Sequence, residues 1–132
     1  LEPALSVTLT QQTDYPVSGR IHIQVDPSRQ AEFGLKLRIP HWSRKTRLQV
    51  NGKAVQGVEA GQYVLMRRKW TKGDVIRLDL DISLHFWVGQ RECAGKTSIY
   101  RGPILLAFDH RYNRELNRKP SKKSGDHKTW AS

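Results

Sequence analysis

The sequence predicts an all-β domain, an antiparallel β-sandwich with jelly-roll-like connections. Apolar and polar residues alternate with a period of two in many short runs, which is the pattern of strands that have one face on a core and one in water. Turn residues separate these runs about every eight to twelve residues, as they do in sandwiches and barrels. No stretch keeps a helical period over the roughly ten residues that would indicate a helix.

The clearest strand lies at residues 35–39, where leucine and isoleucine alternate with lysine and arginine. Pro40 has no N–H and cannot continue a central ladder, so the strand should end there. Trp42 then places a large apolar side chain at the exit of the strand. We expect this segment to be a central strand to which the rest of the chain pairs or against which it packs.

Further runs predict strands over residues 5–10, 21–25, 48–50, 53–55, 62–67, 76–82, 84–88, 97–100 and 104–108. Asn51 and Gly52 lie between two short runs and predict a type I′ hairpin, because both central residues of that turn need a positive φ. The run at 84–88 either extends the preceding strand or bends away from it. Phe86 and Trp87 are adjacent there, and two adjacent aromatic side chains of a strand cannot both face one core.

The length of 132 residues indicates one domain. We expect a sandwich over residues 1–112 and a basic, poorly packed segment over 113–132, where large apolar side chains are scarce. The single cysteine excludes an internal disulfide. No apolar run approaches the roughly 20 residues of a membrane span, so no membrane partner is expected. The compartment stays open, and the start at Leu1, without a methionine, favours a piece of a longer protein.

The net charge of +11 suggests a polyanion, nucleic acid above all, as one class of partner. Many of the cations, however, are the polar members of alternating strands, and much of the remainder lies in residues 111–128. A basic composition without a recognition motif is weak evidence for nucleic-acid binding. Nucleic acid is therefore a disfavoured partner, and polyanion binding through residues 111–128 is kept as an alternative.

Residues with catalytic chemistry are scattered along the chain. Glycoside hydrolysis needs two carboxylates across a cleft, whereas Asp79 and Asp81 are two positions apart and should share the outward face of one strand. The five histidines show no metal-ligand spacing, and Cys93 has no histidine beside it. We therefore predict no catalytic residue, no metal site and no cofactor in this chain.

Aromatic side chains are the best candidates for contact with a ligand. An exposed aromatic ring on a β-sandwich can stack on the apolar face of a sugar ring. Trp87, Tyr63 and Trp42 are the candidates for such stacking, with Tyr100 as a further member of the pool. Trp42 and Trp70 lie where strands enter turns, where tryptophan usually closes the end of a core, so core packing is the favoured interpretation for those two.

Five motifs occur in a definite order: LRIPHW at 37–42, VNG at 50–52, GQY at 61–63, RKWTKGD at 68–74 and YRGPIL at 100–105. Together they resemble the β-sandwich region of glycoside hydrolase family 127, the β-L-arabinofuranosidase-like group. The resemblance implies that catalysis belongs to a separate helical (α/α)6 barrel, which carries a cysteine nucleophile at a zinc site together with glutamates. This sequence has no helical repeats and no cysteine cluster, so the nucleophile is not assigned to Cys93.

The resemblance thus implies a scaffold role. It carries over to residues that suit strand ends, turns and core closure: Arg38, Pro40, Trp42, Asn51, Gly52, Tyr63, Trp70, Gly73, Asp74, Arg101, Gly102 and Pro103. The expected function is that of a non-catalytic accessory domain of a family 127-like glycoside hydrolase in carbohydrate metabolism, packed against the helical catalytic barrel. The alternatives are a carbohydrate-binding module that uses exposed aromatics, and a polyanion-binding basic domain.

Overall fold

The structure is a computed structural model that describes residues 4–109, 111 and 112. These residues form ten strands and one turn of 3-10 helix at Arg91–Cys93. The strands are β1 (Val7–Thr13), β2 (Arg20–Pro27), β3 (Ala31–Arg38), β4 (Arg47–Val50), β5 (Lys53–Ala54), β6 (Tyr63–Trp70), β7 (Asp74–Asp79), β8 (Leu84–Val88), β9 (Thr97–Arg101) and β10 (Ile104–Leu106). All the pairings among them are antiparallel. The predicted all-β, antiparallel class is confirmed, and the jelly-roll-like connectivity stays a prediction.

Two predictions fall wholly or mostly outside the described residues. One is the basic, poorly packed segment at 113–132, and the other is polyanion binding through 111–128. Within the part of the chain that the structure describes, no helix is long and apolar enough to cross a membrane.

Five strands form the larger layer of the sandwich, in the order β1-β2-β7-β4-β5. Strand β2 illustrates how the sequence builds this layer: Ile21, Ile23 and Val25 are buried, whereas His22 and Gln24 between them are exposed. Period-two alternation places the three apolar side chains on one face. Buried side chains of β4 and β7 belong to the same cluster, and together they form one wall of the core.

The smaller layer contains β3 and β6. Its inward side chains, among them Val64 and Met66, join the same buried cluster, so the two layers enclose one core. The expectation that the strand at 35–39 is central is wrong, because β3 pairs with β6 and with no other strand among the described residues. Alternation reports which face of a strand is buried, but it does not report how many strands lie beside it.

Trp70 closes one end of the core. Its side chain is fully buried, and its Nε1 donates a 3.0 Å hydrogen bond to the carbonyl oxygen of Phe33. The two rings stack with their centroids 6.0 Å apart. A buried indole N–H without an acceptor would cost about 1–3 kcal/mol. The hydrogen bond to β3 therefore both satisfies the indole and fixes where β6 ends relative to its partner.

Residues 70–74, the layer-crossing turn, carry the chain from the smaller layer to the larger one. The Asp74 carboxylate accepts hydrogen bonds from the Thr71 backbone N–H (3.0 Å), the Thr71 hydroxyl (3.2 Å) and the Asn51 amide (2.8 Å). Burial raises the pKa of the Asp74 carboxyl, but these hydrogen bonds and the nearby Arg68 guanidinium outweigh burial, and the pKa lies below its ordinary value of 3.8. The folded protein thus stabilises the charged carboxylate.

The β4–β5 hairpin is attached to the same turn. Asn51 and Gly52 have φ values of 50° and 78°, as a type I′ turn requires. The Asn51 Oδ1 accepts a 2.8 Å hydrogen bond from the Val75 N–H, and the Asn51 N–H donates to the Val75 carbonyl oxygen at 2.9 Å. The residue that forms the hairpin therefore also holds the first residues of β7.

Replacing Asp74 with Asn should lower the free energy of unfolding by about 1–3 kcal/mol at neutral pH, because the new amide presents its NH2 group to donors that need an acceptor. In the folded protein the pKa of the Asp74 carboxyl lies below its ordinary value of 3.8. The carboxylate therefore adds to the free energy of unfolding above the ordinary pKa, and this contribution is lost as the pH falls through the folded pKa. Urea denaturation of both proteins at pH 7 and in acid measures this. A stability difference that fails to shrink in acid would contradict the interpretation.

The last three strands form a separate sheet in the order β10-β9-β8. The strand predicted over 76–82 ends at Asp79, and the run at 84–88 bends away and pairs with β9. Phe86 and Trp87 therefore do not compete for one core, since neither belongs to the buried cluster of the sandwich.

Gly102 joins this sheet to the sandwich. It lies in the β9–β10 turn with a φ of 55°, and its N–H donates a 3.3 Å hydrogen bond to the Ser83 carbonyl oxygen. A Cβ at this position would overlap Cγ2 of Ile82. Both the positive φ and the close approach require glycine here.

Gly102→Ala should destabilise the protein more than Gly57→Ala does. Gly57 has a φ of 71° and open space around it. Alanine there should cost only the strain of the left-handed backbone conformation, about 1–2 kcal/mol. Alanine at Gly102 adds the overlap with Ile82, worth about 1–3 kcal/mol more. Urea denaturation together with amide exchange in β8–β10 compares the two variants. Equal losses of stability in the two variants would mean that the close approach of Gly102 and Ile82 does not constrain how the three-stranded sheet is attached to the sandwich.

Candidate functional site: an aromatic cleft

A concave region lies where the sandwich meets the three-stranded sheet. Two overlapping cavities of about 400 and 500 Å³ share four side chains, those of His41, Trp42, His85 and Trp87. We call the region the aromatic cleft; its walls are His41, Trp42, His85, Trp87, Tyr100 and Pro103, and its polar rim is Arg44, Lys45 and Asp81. Leu84 and Phe86 also line the larger of the two cavities. The volume is within the range of small-molecule sites.

The loop after β3 holds the first wall. The Ser43 N–H donates a 3.1 Å hydrogen bond to the Pro40 carbonyl oxygen. The buried Ser43 Oγ accepts a 2.7 Å hydrogen bond from the Asp81 N–H and lies 2.6 Å from the Thr46 Oγ1. These contacts tie the loop to the chain just after β7. Trp42, next to Ser43, is partly buried and packs against the core, so its position is set by the sandwich.

Strand β8 holds the second wall. Alternation along the strand points His85 and Trp87 to one side of the sheet and Leu84 and Phe86 to the other, although the latter two also line the larger cavity. His85 lies directly across from Tyr100 of β9, and their rings stack with centroids 5.3 Å apart and an interplanar angle of 13°. Trp87 is 66% exposed. A fixed aromatic pair therefore lies beside a tryptophan ring that is accessible from solvent.

The polar rim carries an ionised acceptor beside two cations. Hydrogen bonds from Ser83 hold the pKa of the Asp81 carboxyl below its ordinary value, against a smaller effect of burial and with help from the Lys45 ammonium. The Ser83 N–H donates to Oδ1 of Asp81 at 3.1 Å. Carboxylate oxygens accept hydrogen bonds, whereas the guanidinium of Arg44 and the ammonium of Lys45 donate them. The rim can therefore accept hydrogen bonds from ligand hydroxyl groups and donate hydrogen bonds to them.

The expectation that Asp81 shares the outward face of a strand with Asp79 is wrong. Strand β7 ends at Asp79, and the Asp81 N–H is bonded to the side chain of Ser43 rather than to a strand partner. Asp81 is the one acidic residue among those that line the two cavities. The cleft, as far as the described residues form it, lacks the pair of carboxylates that glycoside hydrolysis needs.

Tyr63 lies elsewhere. It is 62% exposed on the outer face of β6, and the Arg38 guanidinium lies 5.2 Å from its ring centroid. It lines neither cavity of the cleft. Of the three aromatics proposed for sugar stacking, the fold brings Trp42 and Trp87 together and leaves Tyr63 apart. Ser43, which positions the Trp42 loop, has no signal in the sequence, because a single serine in a loop forms no pattern.

The remaining residues singled out from the sequence lie at strand ends, in turns or on the surface. Cys93 is an exposed free thiol at the end of the 3-10 helix. Across the described residues, no group of three or more His, Cys, Asp and Glu side chains could hold a metal ion. The residues to which the resemblance assigns a scaffold role lie at strand ends and turns: Arg38 at the end of β3 and Pro40 just after it, Asn51 and Gly52 in the hairpin, Trp70, Gly73 and Asp74 in the layer-crossing turn, and Gly102 and Pro103 between β9 and β10.

Comparison with solved structures identifies the relatives of this fold. A structure described as a glycoside hydrolase aligns with a TM-score of 0.69 and 32% identity over 75% of this chain. A GH127 β-L-arabinofuranosidase from Geobacillus stearothermophilus T6 aligns with a TM-score of 0.70 and 34% identity over 76% of it. A third, a GH127 β-arabinofuranosidase, has a TM-score of 0.67 and 28% identity over 75%. No curated protein sequence matches the chain significantly.

This chain spans only 17%, 17% and 19% of the lengths of those three structures. The profile of the family described as "Beta-L-arabinofuranosidase, GH127 middle domain" matches residues 2–82, more than half of the chain. That match covers the sandwich and ends before β8, the first strand of the three-stranded sheet. The resemblance drawn from the five ordered motifs is confirmed: the chain belongs to the GH127 β-L-arabinofuranosidase family and corresponds to its middle domain.

Proposed function

We propose that this chain is the non-catalytic β-sandwich domain of a GH127 glycoside hydrolase and that it packs against a catalytic domain built as a helical barrel. The chain spans less than a fifth of its solved relatives, so most of such an enzyme lies in other segments. The observation that carries the packing role is an uncovered apolar face on the three-stranded sheet.

That face is defined by a row of directly opposed residues, one from each strand. Phe86 lies across from Ile99, and Ile99 lies across from Leu106. Their side chains are 61%, 39% and 45% exposed, respectively. Opposed residues of an antiparallel sheet share one face, and alternation adds Leu84 and Val88 to it. We call these five residues the apolar sheet face.

A contiguous apolar surface of this kind marks a contact with another protein segment more often than scattered single side chains do. Covering one large apolar side chain is worth about 1.5–3 kcal/mol, so the apolar sheet face offers substantial free energy to a domain that covers it. A second uncovered region supports the same interpretation: Leu9 is 52% exposed although it pairs with the buried Val25. The two-stranded layer is too narrow to cover the edge of the five-stranded one.

The polyanion alternative lacks a comparable observation. The segment on which it depends lies mostly outside the described residues. On the outer face of β3 and β6, Arg67 is already paired with Glu32 at 3.3 Å. The carbohydrate alternative has a specific observation, the aromatic cleft, and is developed below as a property separate from the packing role.

Phe86→Asp, introduced into the complete parent enzyme, should lower its melting temperature and expose the junction between domains to proteolysis, because a carboxylate cannot be buried in an apolar contact without a large cost. Leu65→Asp is the matched control: Leu65 is 56% exposed on the outer face of β6, away from the apolar sheet face. In the isolated chain both substitutions should leave stability nearly unchanged, since both side chains are already in water.

Differential scanning calorimetry and limited proteolysis of the parent enzyme compare the two variants. The packing role is refuted if the melting temperature is the same for wild type and Phe86→Asp, or if Leu65→Asp lowers it equally. Assays of the isolated chain on an aryl β-L-arabinofuranoside test its lack of catalysis. We expect no release of the aryl group, and turnover by the isolated chain would overturn the non-catalytic assignment.

A further inference from the structure

We propose that the aromatic cleft is a carbohydrate-binding site, in which Trp87 is the stacking platform, Trp42 forms the facing wall and the polar rim binds sugar hydroxyls. This gives the domain a ligand of its own. Trp87 points to one side of the small sheet and the apolar sheet face to the other, although Leu84 and Phe86 also line the larger cavity.

The separation of the faces is the first step. Along β8 the side chains of Leu84, Phe86 and Val88 belong to the apolar sheet face, whereas Trp87 belongs to the cleft side. Trp87 is paired across the sheet with Ser98, which is too small to cover an indole. Ile99 and Leu106 of the apolar sheet face line neither cavity, so a domain that covers these two side chains leaves Trp87 accessible in the cleft.

The walls of the cleft are held before any ligand arrives. Trp42 packs against the core, and the hydrogen bonds of Ser43 fix the loop beside it. On the other wall, His85 is stacked on Tyr100. A ligand that enters the cleft does not have to order Trp42 or His85, and this lowers the entropic cost of binding.

The chemistry of the lining selects the class of ligand. A sugar ring has an apolar face of C–H groups, which packs on the electron-rich face of an aromatic ring, and a perimeter of hydroxyls that both donate and accept hydrogen bonds. The cleft has aromatic walls and a rim with one acceptor group, Asp81, and two donor groups, Arg44 and Lys45. The concave shape favours a small molecule or a glycan chain over a flat protein surface.

Isothermal titration calorimetry of the full 132-residue chain with arabino-oligosaccharides at millimolar concentrations tests the proposal. We expect saturable binding by the wild type, accompanied by a change in tryptophan fluorescence. Trp87→Ala should weaken binding by about tenfold or more, and Trp87→Phe, which keeps an aromatic face, should retain part of it. Calorimetry is needed for the variants because Trp87→Ala removes one of the fluorescent reporters.

Tyr63→Ala is the matched control. Tyr63 is as exposed as Trp87, at 62% against 66%, but it lies outside the cleft, so its removal should leave the affinity unchanged. Near-UV circular dichroism checks that each variant is folded. The proposal is overturned by the absence of saturable binding to arabino-, xylo- and cello-oligosaccharides, or by equal affinities of the wild type and Trp87→Ala.

A second comparison separates this site from the packing role. Leu106→Asp, on the apolar sheet face but outside both cavities, should leave sugar affinity unchanged in the isolated chain while it destabilises the parent enzyme. If instead Trp87→Ala destabilises the parent enzyme as much as Leu106→Asp does and no sugar binds, the cleft is part of the domain interface and the carbohydrate site is refuted. If Leu106→Asp has no effect on the parent enzyme but Trp87→Ala abolishes sugar binding, the packing role fails and the cleft stands.

Discussion

The layer-crossing turn at residues 70–74 is the constraint on which the sandwich depends. β6 belongs to the smaller layer and β7 to the larger one, so five residues must reverse the chain and change sheets. Trp70 anchors the first end of the turn by its hydrogen bond to Phe33. Asp74 anchors the second end, because its carboxylate accepts hydrogen bonds from Thr71 and Asn51. The Gly73 N–H adds a 2.8 Å hydrogen bond to Asp26 at the end of β2. These bonds hold the turn to both layers, and the shared buried cluster packs the layers together.

The three-stranded sheet has a different relation to the core. None of its side chains belongs to the buried cluster of the sandwich, and its attachment described above runs through Gly102, Ser83 and Ile82. Three strands without a second layer bury little apolar surface against their own chain, and the apolar sheet face remains exposed. Covering the apolar sheet face by another domain would supply what the chain itself does not.

The two faces of that sheet also explain how one short strand serves two proposed roles. In β8, every second side chain points to the same side, so Phe86 and Trp87 point to opposite sides of the sheet although both border the larger cavity. The Trp42 wall comes from the sandwich and the Trp87 wall from the small sheet, so the cleft exists only while the two are joined. Packing of another domain on the apolar sheet face would hold the small sheet in place and thereby stabilise the cleft.

The sequence by itself determined the local features. Alternation located most of the strands, including the buried faces of β2 and β7, and the Asn51-Gly52 turn followed from the backbone geometry that only a few residues adopt without strain. The ordered motifs were enough to identify the family. These features depend on neighbouring residues, and short-range physical chemistry controls them.

Only the tertiary structure decided which strands share a sheet and which side chains meet. Alternation along β3 is the same for a central strand and for one of a pair, and the apolar run from Ile76 to Ile82 does not reveal that Asp81 is bonded to Ser43. Trp42 and Trp87 line the same cavities and Tyr63 lines neither, although Tyr63 lies between the two tryptophans in the sequence. Which side chains share a cavity depends on how the sheets pack, whereas alternation along one strand reports only which of its faces is buried.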